Sequence, residues 1–130
     1  MKTKKNVLIV TDGAVGTKKM ATEIAAVLHD NKVSSKDISE FKGNDILPVD
    51  AFFLGCENAN PGSFAYLTDL LKHINLAGRS CGVFSSGSRK TTGYLAGLVK
   101  DCEAALNPEP LTGSGTVVES WAKSVIYKSF

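Results

Sequence analysis

Val7-Leu8-Ile9-Val10 is a continuous apolar run, three of its four residues β-branched, the pattern of a strand buried on both faces. After a loop, Thr11–Gly16, a helical stripe follows: Met20, Ala21, Ile24, Ala25 and Leu28 recur at steps of one, three and four, with Lys18, Lys19 and Glu23 off the stripe. Asn31 stands near its end as a stop signal. Val33–Phe41 reads as a more polar strand near a sheet edge, followed by a loose stretch with Gly43 and Pro48. Ala51–Gly55 is the next buried strand. Asn58–Gly62 has turn chemistry, and Ser63 is placed to cap a helix with the stripe Phe64, Leu67, Leu71 and Ile74, ended by Gly78. Cys81–Phe84 is a further strand and Ser85–Thr92 a polar loop. Leu95, Leu98, Val99, Cys102 and Leu106 then form a helical stripe that Asn107-Pro108 stops. Glu109–Gly113 is a short extended segment. A last helix starts near Thr116, with Glu119 positioned for a capping box and Val118, Trp121, Ala122 and Val125 on its inner face.

Strands alternating with helices predict an α/β fold: a three-layer α/β/α sandwich on a five-stranded parallel sheet. The 130 residues fit one domain, 1–130. Size scaling gives a folded surface of roughly 6,600 Å², about a third of the extended chain's, so a core forms without disulfides or metals. Hydrophobic residues at 43% and charged residues at 22% are ordinary for a globular chain and exclude disorder. A net charge of +2 gives no reason to expect a nucleic-acid partner. No apolar stretch approaches membrane-spanning length, and three cysteines without CxxC spacing fit a reduced compartment. A cytoplasmic location is the expectation.

In open parallel sheets, ligands bind beyond the carboxyl ends of the strands. Three loops qualify, Thr11–Thr17, Gly55–Ser63 and Ser85–Tyr94, all rich in glycine and small polar residues. A Walker loop is excluded because Gly16 is followed by Thr17 and Thr11 stands at the first glycine position. The dinucleotide fingerprint lacks its first glycine. A receiver domain would need an aspartate where Gly55-Cys56 stands. His29 and His73 read as solvated helix residues. Cys56 reads either as a buried filler or as a thiol activated by a helix N-terminus. No metal site is visible.

Several passages carry a resemblance. Thr17-Lys18-Lys19-Met20-Ala21, the Leu54-Gly55-Cys56 strand end, Leu76–Phe84, Ser85-Ser86-Gly87-Ser88 and Trp121-Ala122-Lys123 occur in the order and spacing of the flavodoxin family, which the chain resembles over nearly its whole length. The resemblance implies strand order 2-1-3-4-5 and a site for flavin mononucleotide (FMN), whose phosphate would lie in the first loop with its ring between the other two. The residues so implied are Thr11, Asp12, Gly13, Ala14, Val15, Gly16 and Thr17; Cys56, Glu57, Asn58, Asn60 and Gly62; and Ser85, Ser86, Gly87, Ser88 and Tyr94. It further implies electron transfer with a redox protein partner, not substrate conversion.

The chain departs from the family pattern in that first loop. Asp12 and Ala14 replace hydroxyl residues, and Val15 replaces a glycine. A carboxylate at Asp12 repels a phosphate dianion unless it points away or is offset by Lys18 or Lys19. The second loop has no tryptophan, the third offers the aromatic Tyr94, and the mild positive charge differs from the acidic character of electron-carrying flavodoxins. Two functions stay open: an FMN-binding electron carrier, or a flavodoxin-fold protein without flavin that serves as an interaction module or binds another small ligand.

Overall fold

A computed structural model describes residues 4–59, 61–112 and 116–130, the side chain of Thr116 excepted. Five strands, β1 (Asn6–Thr11), β2 (Lys32–Asp37), β3 (Ala51–Gly55), β4 (Ser80–Phe84) and β5 (Ala105–Leu106), form one sheet in the order β2-β1-β3-β4-β5. All neighbours are parallel and β1, β3 and β4 run in step, with Thr11 beside Gly55 and Gly55 beside Phe84. The helices are α1 (Val15–Val27), α2 (Gly43–Ile46), α3 (Ala65–His73), α4 (Arg89–Lys100) and α5 (Thr116–Ile126). The expected sandwich and strand order are both present. The accessible surface, 6697 Å², matches the value size scaling gives.

Alternation along the strands divides the core. Val7, Ile9, Ala51, Phe53 and Phe84 face α1 and α5, meeting Met20, Ala21, Ile24, Val118, Trp121, Ala122 and Val125. Leu8, Val10, Phe52, Leu54, Cys81 and Val83 face the other layer and pack with Leu67, Leu71, Leu95, Leu98 and Val99 of α3 and α4. Both faces of β3 are therefore apolar, and all five of its residues are buried. Gly55 is required where β3 meets Phe84: a Cβ there would lie 2.2 Å from the Phe84 ring, itself fully buried.

Several boundaries differ from the sequence expectation, each for a local reason. β2 is an edge strand as expected but stops at Asp37, not Phe41. The Asp37 carboxylate accepts the Ser39 N–H at 2.9 Å and its carbonyl accepts the Glu40 N–H, which turns the chain. Within the loose stretch, α2 forms because Asp45 accepts the Lys42 N–H at 2.8 Å. Ser63 does not cap α3: the chain enters through a 3-10 turn, Gly62–Phe64, and Phe64, the residue before the helix, makes no side-chain cap. That helix ends at His73, ahead of Gly78.

The end of α4 is the largest difference. The helix stops at Lys100, Glu103 takes a left-handed φ of 68°, and Leu106 belongs to β5. Cys102 and Leu106 continue the helical spacing only because both still meet the same core. The fifth strand is thus Ala105–Leu106, not Glu109–Gly113. Of the described part of that segment, only Leu111 rejoins the sheet, bridging to Phe84. Pro108 and Pro110 carry no N–H to donate to a ladder. Trp121 ties this stretch down by donating to the Glu109 carbonyl at 2.7 Å. The proposed Thr116–Glu119 capping box falls outside the described side chains; Glu119 pairs with Lys123 at 2.9 Å.

Candidate functional site

Because β1, β3 and β4 are neighbours running the same way, the loops that follow them leave the sheet side by side. The three loops singled out by composition meet at the carboxyl edge, and their hydrogen bonds centre on one residue, Glu57. The N–H of Glu57, in the loop after β3, donates to Asp12 Oδ2 at 2.9 Å. The Glu57 carbonyl accepts from Thr91 Oγ1 at 3.3 Å and, at the long limit of 3.5 Å, from Ser85 Oγ. Ser85 Oγ also accepts the Gly87 N–H at 2.9 Å, closing a short turn after β4. Asp12 joins the first loop to the second, and Ser85, Gly87 and Thr91 join the third to the second.

Two glycines allow this closeness. A Cβ on Gly87 would lie 2.2 Å from the Glu57 carbonyl oxygen, and one on Gly16 would lie 2.9 Å from the Ser86 side chain. Gly13 has a different reason, a φ of 86° that L side chains rarely adopt. Thr91 was not among the residues expected from sequence. It is 3% exposed, and its only sequence signal is a hydroxyl in the first turn of a helix following a strand.

The first loop opens α1 without a cap. Ala14 occupies the N-cap position and makes no side-chain bond, and no acidic residue lies in the first turn. Helix geometry leaves the N–H groups of Val15, Gly16 and Thr17 without intrahelical partners. Thr17 is fully buried and its hydroxyl has no hydrogen-bond partner among the described residues. An uncapped helix terminus in a glycine-containing loop attracts anions.

Asp12 works against that tendency. Its Oδ1 accepts the Ala14 N–H at 3.1 Å while Oδ2 holds Glu57. Among the described residues Asp12 makes no ion pair; the charge of Lys18 instead helps lower the pKa of Asp37, after the Ser39 hydrogen bonds that lower it most. A phosphate placed at this loop would meet a carboxylate already bonded to the loop's Ala14 N–H and to the Glu57 N–H of the second loop. The phosphate end of FMN and the residues present therefore do not fit at Asp12, although the donors of Val15 to Thr17 remain.

The other expected site residues are placed as follows. Thr11 is buried at the end of β1, and Val15 is 86% exposed at the start of α1. Glu57, Asn58, Gly62, Ser86, Gly87 and Ser88 are exposed around the loop cluster. Asn60 lies outside the described residues. Tyr94 sits in α4 and packs against the core between the sheet and α3. That is helix packing, and its phenol pKa is raised by burial. His29 and His73 are exposed and turn their rings to the Ala26 and Asp69 carbonyls. No group of three or more metal-ligating side chains occurs among the described residues, and no described helix is long and apolar enough to cross a membrane.

Cys56 is fully buried, and burial, reinforced by the Asp12 carboxylate, pushes its thiol up to about 12. The filler reading of Cys56 is the one its burial fits. Burial also raises Cys81 and Cys102. All three thiols hold their protons longer in the folded state than in the unfolded chain. This contribution to stability is complete below the ordinary thiol range and is lost as pH rises through the raised values of the folded state. The native protein at pH 7.5 is expected to leave Ellman's reagent unreacted, with three thiols titrating after unfolding in guanidinium. Rapid reaction of one thiol in the native state would contradict the burial assigned here.

The chain has a flavodoxin-like fold. No family model matches it, and no match was found among curated proteins. Solved structures do match over nearly its full length. A short-chain flavodoxin associated with a non-canonical PDU bacterial microcompartment superposes with a TM-score of 0.82 at 17% identity, covering 97% of this chain and 99% of that one. Oxidised flavodoxin 2 from Bacillus cereus gives 0.79 at 21% identity, covering 96% and 99%. The Fusobacterium nucleatum flavodoxin bound to flavin mononucleotide gives 0.73 at 13% identity, covering 97% and 99%.

Proposed function

We propose that this protein is a flavin-binding electron carrier of the flavodoxin kind, working in the cytoplasm with a redox protein partner, and that it takes a flavin of the FMN type, held by its ring and ribityl chain and not by a phosphate contact at Asp12. The observation that carries this reading is the meeting of three strand-end loops at an uncapped helix terminus whose Thr17 hydroxyl is buried and unpartnered. A flavin supplies one-electron chemistry; the chain supplies the seat. Val15, Gly16 and Thr17 offer backbone donors to a polar tail, and the exposed stretches Glu57–Asn58 and Ser86–Ser88 flank the place for the ring. The Fusobacterium nucleatum neighbour, bound to flavin mononucleotide, supports the choice of flavin. Val15, exposed beside the loops, gives a partner protein an apolar contact.

A second reading, a flavin-free interaction module, is favoured by the bonds Asp12 makes to Ala14 and Glu57 and by the placement of Tyr94 in helix packing. Colour separates the two. Protein purified without denaturant, or mixed with FMN and desalted, is expected to be yellow, to quench flavin fluorescence and to bleach reversibly with dithionite. A colourless protein that leaves the fluorescence of added FMN and riboflavin unchanged would sink the flavin reading and leave the module.

A further inference from the structure

We infer that Asp12 supplies the loop's anion from within the chain, so that the site takes the unphosphorylated flavin, riboflavin, at least as well as FMN. This inference rests on the flavin reading above and specifies the ligand class at that same site. It starts from the general behaviour of a helix terminus behind a glycine-containing loop, which holds an anion through backbone N–H groups. Here a carboxylate already stands at the loop. Asp12 lies directly after β1, and its two oxygens take one N–H from the loop itself, that of Ala14, and one from across the cleft, that of Glu57. An incoming phosphate would lose the Ala14 donor and stand beside a like charge.

Among the described residues no ion pair offsets that charge; the charge of Lys18 is felt at Asp37, and the neighbouring Glu57 side chain is a further carboxylate on the same exposed rim. The next two residues point the same way. Ala14 brings no hydroxyl and no cap. Val15 sets an exposed isopropyl group at the first position of the helix, where an anion would be solvated or bonded. Riboflavin ends its ribityl chain in a neutral hydroxyl where FMN carries the phosphate. It can accept from the remaining N–H groups of Val15, Gly16 and Thr17 and donate to the Asp12 carboxylate, which a dianion cannot do. Asp12 is thus a specificity-determining residue: it fastens the first loop to the second and lowers the preference for a phosphorylated ligand.

The test compares riboflavin and FMN titrations, followed by flavin fluorescence, on the wild type, Asp12→Asn and Asp12→Ser. The two variants differ in size and hydrogen bonding but share loss of the charge. Thermal melts in inorganic phosphate, against chloride at matched ionic strength, are run on the same three proteins. The wild type is expected to bind riboflavin as tightly as FMN or more so. Both variants are expected to shift the ratio toward FMN by tenfold or more. Phosphate is expected to raise the Tm of the variants and leave that of the wild type where chloride leaves it. A wild type that prefers FMN tenfold or more overturns the inference, as does a ratio unchanged by either variant. If no flavin binds any form, the flavin reading fails by itself and the phosphate melts decide the role of Asp12. Stabilisation of the variants alone then upholds the internal anion; equal stabilisation of all three proteins, or of none, overturns it.

Discussion

Phe53→Ala is expected to destabilise the protein by about 3–5 kcal/mol, the range for removing a buried aromatic ring from a packed core. Phe53 sits in the central strand β3 and is completely buried. Its ring meets Trp121 with centroids 5.4 Å apart and planes tilted by 53°, a geometry that adds to simple area burial. Strand β1 lies on one side and β4 on the other, so the backbone has little freedom to collapse into the space left. For a domain of this size the loss corresponds to a fall in Tm on the order of 10–20 °C. The indole of Trp121 would lose its neighbour while keeping its bond to the Glu109 carbonyl, so its fluorescence reports the change directly. A shift of Tm by less than about 3 °C would mean that the layer between β3 and α5 is looser than described.

Gly87→Ala is expected to have the largest effect on the loop cluster. The added methyl would lie 2.2 Å from the Glu57 carbonyl oxygen, a backbone atom that cannot rotate aside. Relief requires moving the Glu57 peptide. Its carbonyl also accepts from Thr91, and the N–H on the other side of Glu57 donates to Asp12, so all three loops shift together. Overpacking of this kind costs about 1–3 kcal/mol, and flavin affinity is expected to fall tenfold or more. Gly97→Ala in α4 serves as the comparison, since an added methyl there meets nothing within 4 Å and its change should lower neither stability nor binding. Amide exchange at Glu57 and Ala14 would speed up in Gly87→Ala alone. Unchanged exchange at Glu57 would show that the loop absorbs the methyl by another route.

Much of the fold was legible in the chain because the signals were local. Val7–Val10, Ala51–Leu54 and Cys81–Phe84 are apolar without interruption, and only a strand covered on both faces suits such a run. The three loops were legible for the same reason, as clusters of glycine and small polar residues at strand ends. The fifth strand was not. Cys102 and Leu106 keep helical spacing, and two prolines bracket Glu109. Only the turn at Glu103 and the ladder to Ser80 and Cys81 show that Leu106 pairs in the sheet. β2 was overextended because Ile38 and Phe41 are apolar, yet they reach the core from a turn that the Asp37 carboxylate closes.

At the site, residue identity set which chemistry was present and tertiary structure set where each group pointed. From sequence alone, Asp12 was a charge in an anion-binding loop, Tyr94 an aromatic near it, and Cys56 a thiol at a strand end. Hydrogen bonds between residues 45 positions apart fixed the Asp12 carboxylate on Glu57. Packing of α4 laid the half-buried Tyr94 against the core, and complete burial held the Cys56 proton on sulfur. The sequence by itself determined β1, β3, β4, the long helices and the glycine-bearing loops, because those depend on neighbours along the chain. The join between the loops, and with it the direction of every side chain at the candidate site, was decided only when parallel pairing brought β1, β3 and β4 side by side, since their contacts depend on distance in space.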